Sequence, residues 1–142
     1  MARMIRSGLI QCKNPINDET KSIAEIQKAA FEHHLPFIEE AGKKGVQILC
    51  LQEIFNGPYF CPSQDKRWYD AAEPVPGPTV NAIAEYAKKY QMVIIVPVYE
   101  KVQEGVLYNT AAVIDADGKY LGKYRKKHIP HTSGFWEKFF FK

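Results

Sequence analysis

Two short apolar runs, residues 46–51 (VQILCL) and 92–99 (MVIIVPVY), constrain the fold more than any other feature of this sequence. Both are too short and too uniformly apolar for an amphipathic helix. They read as strands buried on both faces, as in a sheet under helix cover. What lies around them has a different period. Ser22 and Glu25 fit a capping box, and Ile23, Ile26, Ala30, His34, Phe37 and Ala41 then recur every three or four residues. Pro36 falls inside this helix and is expected to kink or interrupt it. Gly42 and Gly45 stop it, and Lys43 and Lys44 suit its C-terminal dipole. A second helix starts with Thr79 as cap, carries Val80, Ile83, Ala84 and Ala87 on its apolar face, and ends near Tyr90.

The remaining segments complete an alternation. Residues 4–12, with Ile5, Leu9 and Ile10, form a first strand, and residues 13–18 are a turn cluster. Residues 56–78 hold Gly57-Pro58, Cys61-Pro62 and Pro76-Gly77-Pro78, a long loop of the kind that carries function. Pro97 marks the end or a bulge of its strand. Residues 107–114 are a further strand, Asp115-Ala116-Asp117-Gly118 is a hairpin turn with Gly118 at positive φ, and residues 119–124 return. The order β-α-β-α-β followed by a β-hairpin argues an α/β fold with helices against a sheet.

Composition removes several function classes. Nineteen basic and 16 acidic residues leave a net charge of +3, too mild to argue for nucleic acid, and Tyr120 and Tyr124 beside the basic run add little. No apolar run is long enough to span a bilayer, so no membrane partner is expected. The first six residues, MARMIR, lack the apolar core of a signal peptide. Three cysteines without motif spacing read as reduced thiols of a cytoplasmic protein. The last eight residues, FWEKFFFK, are so aromatic that they call for a packing partner, which implies a chain that stops within a domain.

In open α/β sheets ligand groups gather at the carboxyl ends of strands. Two candidates stand there. Glu53 follows the apolar run directly and is a partly desolvated general base or, alternatively, a strand-end cap paired with a surface lysine. Lys126, between Arg125 and Lys127, is either an inward lysine that stabilises an oxyanion or one of three solvated cations. Glu137 sits among aromatics as a partly buried carboxylate or as a partner of Arg125 or a nearby lysine. Of the thiols, Cys50 reads as core, and Cys61 as exposed enough to react. His128 and His131 have a helical metal-ligand spacing, but Pro130 between them spoils the helix, so no metal is expected. His33 is assigned to the core and His34 to the surface.

Three stretches, taken in order, resemble the nitrilase (carbon–nitrogen hydrolase) superfamily: LQEIFNGPYF at 51–60, YRKKHIP at 124–130 and GFWEKFF at 134–140. The PGPT helix start at 76–79 and LYNTA at 107–111 belong to the same resemblance, which runs from Ile5 to the end and is nearest to the N-carbamoyl amide hydrolases, the β-ureidopropionases and N-carbamoylputrescine amidases. The resemblance implies an α-β-β-α four-layer sandwich, of which residues 1–142 are the N-terminal part of a single domain and half of the layers. It implies a Glu-Lys-Cys triad in which Glu53 is the base, Lys126 stabilises the tetrahedral intermediate, and Glu137 orients lysine and substrate. Asn56, Tyr59 and Phe60 would line the pocket mouth, and His128 would contact substrate. The implied substrate is a small N-carbamoyl compound, with no metal or organic cofactor, in a homo-oligomer. The family's nucleophilic cysteine follows a later strand, beyond Lys142, so the 142 residues alone are expected to be inactive. A rival expectation is a pseudoenzyme fragment serving as an assembly module.

Overall fold

The computed structural model of the protein describes residues 4–18 and 20–142, so Met1, Ala2 and Arg3 of the N-terminal hexapeptide lie outside the described residues. Five strands form one sheet in the order β1 (Ser7–Leu9), β2 (Ile48–Cys50), β3 (Val93–Gln103), β4 (Val106–Ile114) and β5 (Tyr120–Arg125). The first three run parallel, and β3, β4 and β5 run antiparallel. Helix α1 (Ile23–Lys43) joins β1 to β2, and α2 (Pro78–Tyr90) joins β2 to β3. A four-residue helix, α3 (Glu137–Phe140), closes the chain. The expected α/β architecture is therefore present, with each parallel pair bridged by a helix.

Both long helices cover the same face. Ile38 of α1 and Val80, Ile83 and Ala87 of α2 pack on Leu49, Ile94, Val96, Val98, Ala112 and Ile114 in one core. Ile38, Ile83 and Ile94 are fully buried, each stabilising the fold by roughly 1.5–3 kcal/mol. Among the described residues the other face has no such cover over its middle. Leu9, Ile48 and Tyr124 are exposed there, and Cys50 is half-buried. The run at 46–51 is thus buried on one face, not on both as expected. Its strand is also shorter than the apolar run, as is β1 within residues 4–12. A second, aromatic core sits at the carboxyl ends of the strands, where Phe60, Trp68, Tyr99, Phe140 and Phe141 pack together.

Several local expectations are corrected by packing. Ser22 and Glu25 do form the capping box, but α1 runs through Pro36 without interruption. Pro36 and Glu32, whose carbonyl loses its helical donor, are both exposed residues, so the break is not buried in the core. The buried stripe is Ile26, Ala30, His34 and Ile38, which leaves Phe37 exposed and places His34, not His33, in the core. The cap of α2 is Gly77, with Pro78 in the first turn. Thr79 instead gives its N–H and hydroxyl to Glu73 Oε2. The loop at 56–78 contains a 3-10 helix, Lys66–Ala71. Pro97 neither ends nor bulges β3. It pairs with Ala111, and its carbonyl accepts from Phe55 N at 3.3 Å. Its backbone is thus turned to the β2 side, past the last β2 pairing at Cys50, so no ladder bond to β4 is lost. The hairpin turn forms as expected, with Gly118 at φ +87° and its N–H bonded to Asp115 O.

Candidate active site

Glu53 is placed by what happens just after β2. Leu51 N donates to Ile95 O, extending the sheet by one bond, and the chain then turns sharply. Ile54, buried and β-branched, adopts φ +48°, a left-handed conformation that costs such a residue of order 1–3 kcal/mol. Its side chain joins the aromatic core while that of Phe55 enters the helix-covered core. The turn is nailed down on both sides, and Glu53 is left pointing out between them.

Lys126 is placed by parity. Arg125 ends β5 opposite Thr110, on the helix-covered face, and is held there by Glu100. Glu100 is 1% exposed and receives Arg125 Nε at 2.9 Å, Arg125 Nη2 at 2.7 Å, Lys123 Nζ at 2.5 Å and Thr110 Oγ1 at 2.6 Å. Burial alone would raise the Glu100 carboxyl, but these hydrogen bonds outweigh it and hold the pKa down to about 2. The guanidinium also lies 3.9 Å over the Tyr108 ring. Successive strand residues face opposite ways, so fixing Arg125 below the sheet sends Lys126 above it. Lys126 N donates to Asn109 O at 2.9 Å.

The three charged candidates meet. Lys126 Nζ lies 2.7 Å from Glu137 Oε2 and 3.1 Å from Glu53 Oε1. Burial works against the lysine's charge, yet the hydrogen bonds to Glu137 and Glu53 more than offset it and raise the pKa above the ordinary lysine value. The two carboxylates are unlike. Glu137 is buried, at 3% side-chain exposure, and its other oxygen accepts from Tyr59 OH at 2.8 Å. Glu53 is 45% exposed, less desolvated than its position after an apolar strand led us to expect. Its Oε1 also accepts from Asn109 Nδ2 at 2.5 Å. Burial, then the bond to Glu137, pushes the Tyr59 phenol up, so it stays a donor. Chemically this is a cation pinned by a buried carboxylate, with both oxygens of that carboxylate hydrogen-bonded, and facing an accessible one; such an arrangement can stabilise an oxyanion beside a base.

The other sequence candidates scatter. Tyr59 is at the site, but through Glu137. Phe60 is a core residue, stacked on Trp68 at 5.2 Å and meeting Phe140 edge-on. Asn56 is buried and turns away, its Nδ2 donating to Thr79 Oγ1 in the first turn of α2 at 3.2 Å. His128 is exposed and lines an open groove of about 960 Å³ with Lys126, Lys127, Ile129, Pro130 and Lys138. Cys61 is fully buried, not exposed as its Gly/Pro-rich surroundings suggested, because Phe60 and the strap at Trp136, whose N–H bonds Cys61 O, enclose it. Burial pushes its thiol up to about 12. Among the described residues no three metal-ligating side chains gather. The residue that reading the sequence missed as a site member is Asn109. Its one signal was its place in LYNTA at 107–111.

Residues 8–142 match the family model described as carbon–nitrogen hydrolase. The chain is 41% identical over 143 aligned positions to a β-ureidopropionase of Arabidopsis thaliana, covering 95% of this chain and 33% of that protein. It is 45% identical over 105 positions to an N-carbamoylputrescine amidase of Oryza sativa subsp. japonica, covering 73% and 35%. It also resembles the crystal structure of a carbon–nitrogen hydrolase from Helicobacter pylori G27, with a TM-score of 0.86 and 33% identity over 99% of this chain and 45% of that one. The chain spans about a third of the length of the curated relatives it matches.

Proposed function

The chain belongs to the carbon–nitrogen hydrolase family, and from that premise we propose that it carries the base and the lysine of an enzyme that hydrolyses the ureido bond of a small N-carbamoyl compound. The observation that carries this reading is Lys126 Nζ held between Glu53 and Glu137 at the carboxyl end of the sheet. The relatives' names, a β-ureidopropionase and an N-carbamoylputrescine amidase, point to an N-carbamoyl-β-amino acid or an N-carbamoyl amine as substrate.

In this reading a cysteine from the segment that follows Lys142 gives its proton to Glu53, and the thiolate attacks the ureido carbonyl carbon. The oxygen that becomes negative is met by the Lys126 ammonium. Protonated Glu53 hands the proton to the departing nitrogen, the C–N bond breaks, and ammonia leaves a carbamoyl thioester. Water, deprotonated by Glu53, attacks the same carbon and releases the thiol and a carbamic acid, which falls apart to carbon dioxide and the amine. Glu137 is assigned no proton transfer; with Tyr59 OH on one oxygen and Lys126 Nζ on the other, it fixes the lysine, and its hydrogen bond helps keep Lys126 charged. The 142 residues are then the N-terminal part of a single domain, inactive alone, of a cytoplasmic homo-oligomer. The rival reading, an inactive assembly module, is favoured by one observation: the uncovered sheet face at Leu9, Ile48 and Tyr124.

Ammonia release by the full-length protein from N-carbamoyl-β-alanine and from N-carbamoylputrescine separates the two. The enzyme reading expects turnover of at least one, reduced at least 100-fold by Glu53→Gln and by Lys126→Ala. Turnover that survives either substitution refutes the site assignment, and no ammonia from either compound favours the module.

A further inference from the structure

We propose that Asn109 is the positioning residue that selects which oxygen of Glu53 acts as the base. The inference rests on Glu53 and Lys126 working as the pair described above. Asn109 is 7% exposed in β4, paired with Tyr99, and it touches both members of the pair. Its side-chain Nδ2 donates to Glu53 Oε1 at 2.5 Å. Its main-chain carbonyl accepts the Lys126 N–H at 2.9 Å, at the first peptide beyond β5. Glu53 hangs on a strained turn and Lys126 on a strand end, 73 positions apart in sequence, so a single residue between them fixes their separation.

The consequence is chemical. Glu53 Oε1 holds two donors, Asn109 Nδ2 and Lys126 Nζ, whereas Oε2 has no hydrogen-bond partner among the described residues. A proton arriving at the carboxylate therefore lands on Oε2. The neutral acid that results keeps Oε1 as its carbonyl oxygen, so neither existing bond has to break when the proton comes or goes. An amide is suited to this task. It donates without a charge of its own, and the residue that bears it is buried within β4. Free rotation of Glu53 would instead offer both oxygens to Lys126 in turn, and the lysine would follow the base away from the substrate oxygen.

Two near-isosteric variants of the full-length protein test this, with the Lys126 ammonium followed by 15N NMR titration alongside ammonia release. Asn109→Leu removes the donor, loosens Glu53 from Lys126 and is expected to lower the Lys126 titration midpoint. Asn109→Asp sets a further carboxylate beside the pair and is expected to raise it. Both are expected to lower kcat 10- to 100-fold with KM changed less than threefold. A residue that only packs the strand would change the melting temperature and leave the Lys126 midpoint where it is. An unmoved midpoint in both variants, or shifts of the same sign, overturns the proposal. If wild type releases no ammonia but the midpoints move in opposite directions, the positioning role stands and the reaction assignment fails.

Discussion

Replacing Glu100 by glutamine leaves the shape of the β3–β5 interface intact and removes its one buried negative charge. The structure supplies the magnitude. Folding takes this carboxyl from the ordinary 4.5 to about 2, and at about 1.36 kcal/mol per pH unit that is worth about 3 kcal/mol at neutral pH. The cations it holds, Lys123 and Arg125, are 28% and 36% exposed, so solvent recovers part of their loss in the variant and the expected cost is about 2 kcal/mol. Because the folded state binds this proton less readily than the unfolded state, the contribution is complete above pH 4.5 and is lost as pH falls from 4.5 towards 2. Glutamine has no such proton to bind. Urea unfolding of wild type and Glu100→Gln at a series of pH values should therefore show a gap of about 2 kcal/mol at pH 7 that narrows steadily below pH 4.5. A gap under about 0.5 kcal/mol at pH 7, or one that stays constant down to pH 2.5, would refute the reasoning, since the first denies the charge network and the second makes its contribution steric.

Two other outcomes follow from packing. Gly42, in the last turn of α1, has no room for a side chain: a Cβ there would sit inside the Tyr90 side chain of α2. Gly42→Ala should lower stability by 1–3 kcal/mol in thermal unfolding despite alanine's better helix propensity, and a variant as stable as wild type would mean that the α1–α2 contact is looser than described. Cys61, buried and with its thiol pushed up to about 12, should resist iodoacetamide at pH 8 in the folded protein and react fully in denaturant, as read by mass spectrometry; native labelling at the rate of a free thiol would contradict its enclosure.

Which parts of this were legible in the sequence follows from how local each cause is. The capping box of α1, the periods of both helices and the Gly118 turn depend on residues a few positions apart, and the chain states them directly. What could not be read depends on which face a residue is turned to. Pro97 looks like a strand breaker until its backbone is known to point towards the spent end of β2. Pro36 looks like a helix breaker until it is known to lie on the exposed side of α1. The exchange of His33 and His34 has the same origin: both fit the apolar stripe within a third of a turn, and the aromatic contact of His34 with Phe55, 5.1 Å between rings, decides it.

The site is harder still, because the basic run Arg125-Lys126-Lys127 is locally undecided. Nothing in those three residues says which cation turns inward. The decision is made by Glu100, 25 positions earlier, whose buried carboxylate accepts a bidentate guanidinium better than it would an ammonium at that place. Once Arg125 is taken, strand parity leaves Lys126 no choice of face. Glu137 then completes the selection from the other side, since a carboxylate at 3% exposure needs a cation and only Lys126 of the run is within reach. The lysine of the site is thus specified twice, once by the pair it does not belong to and once by the pair it does.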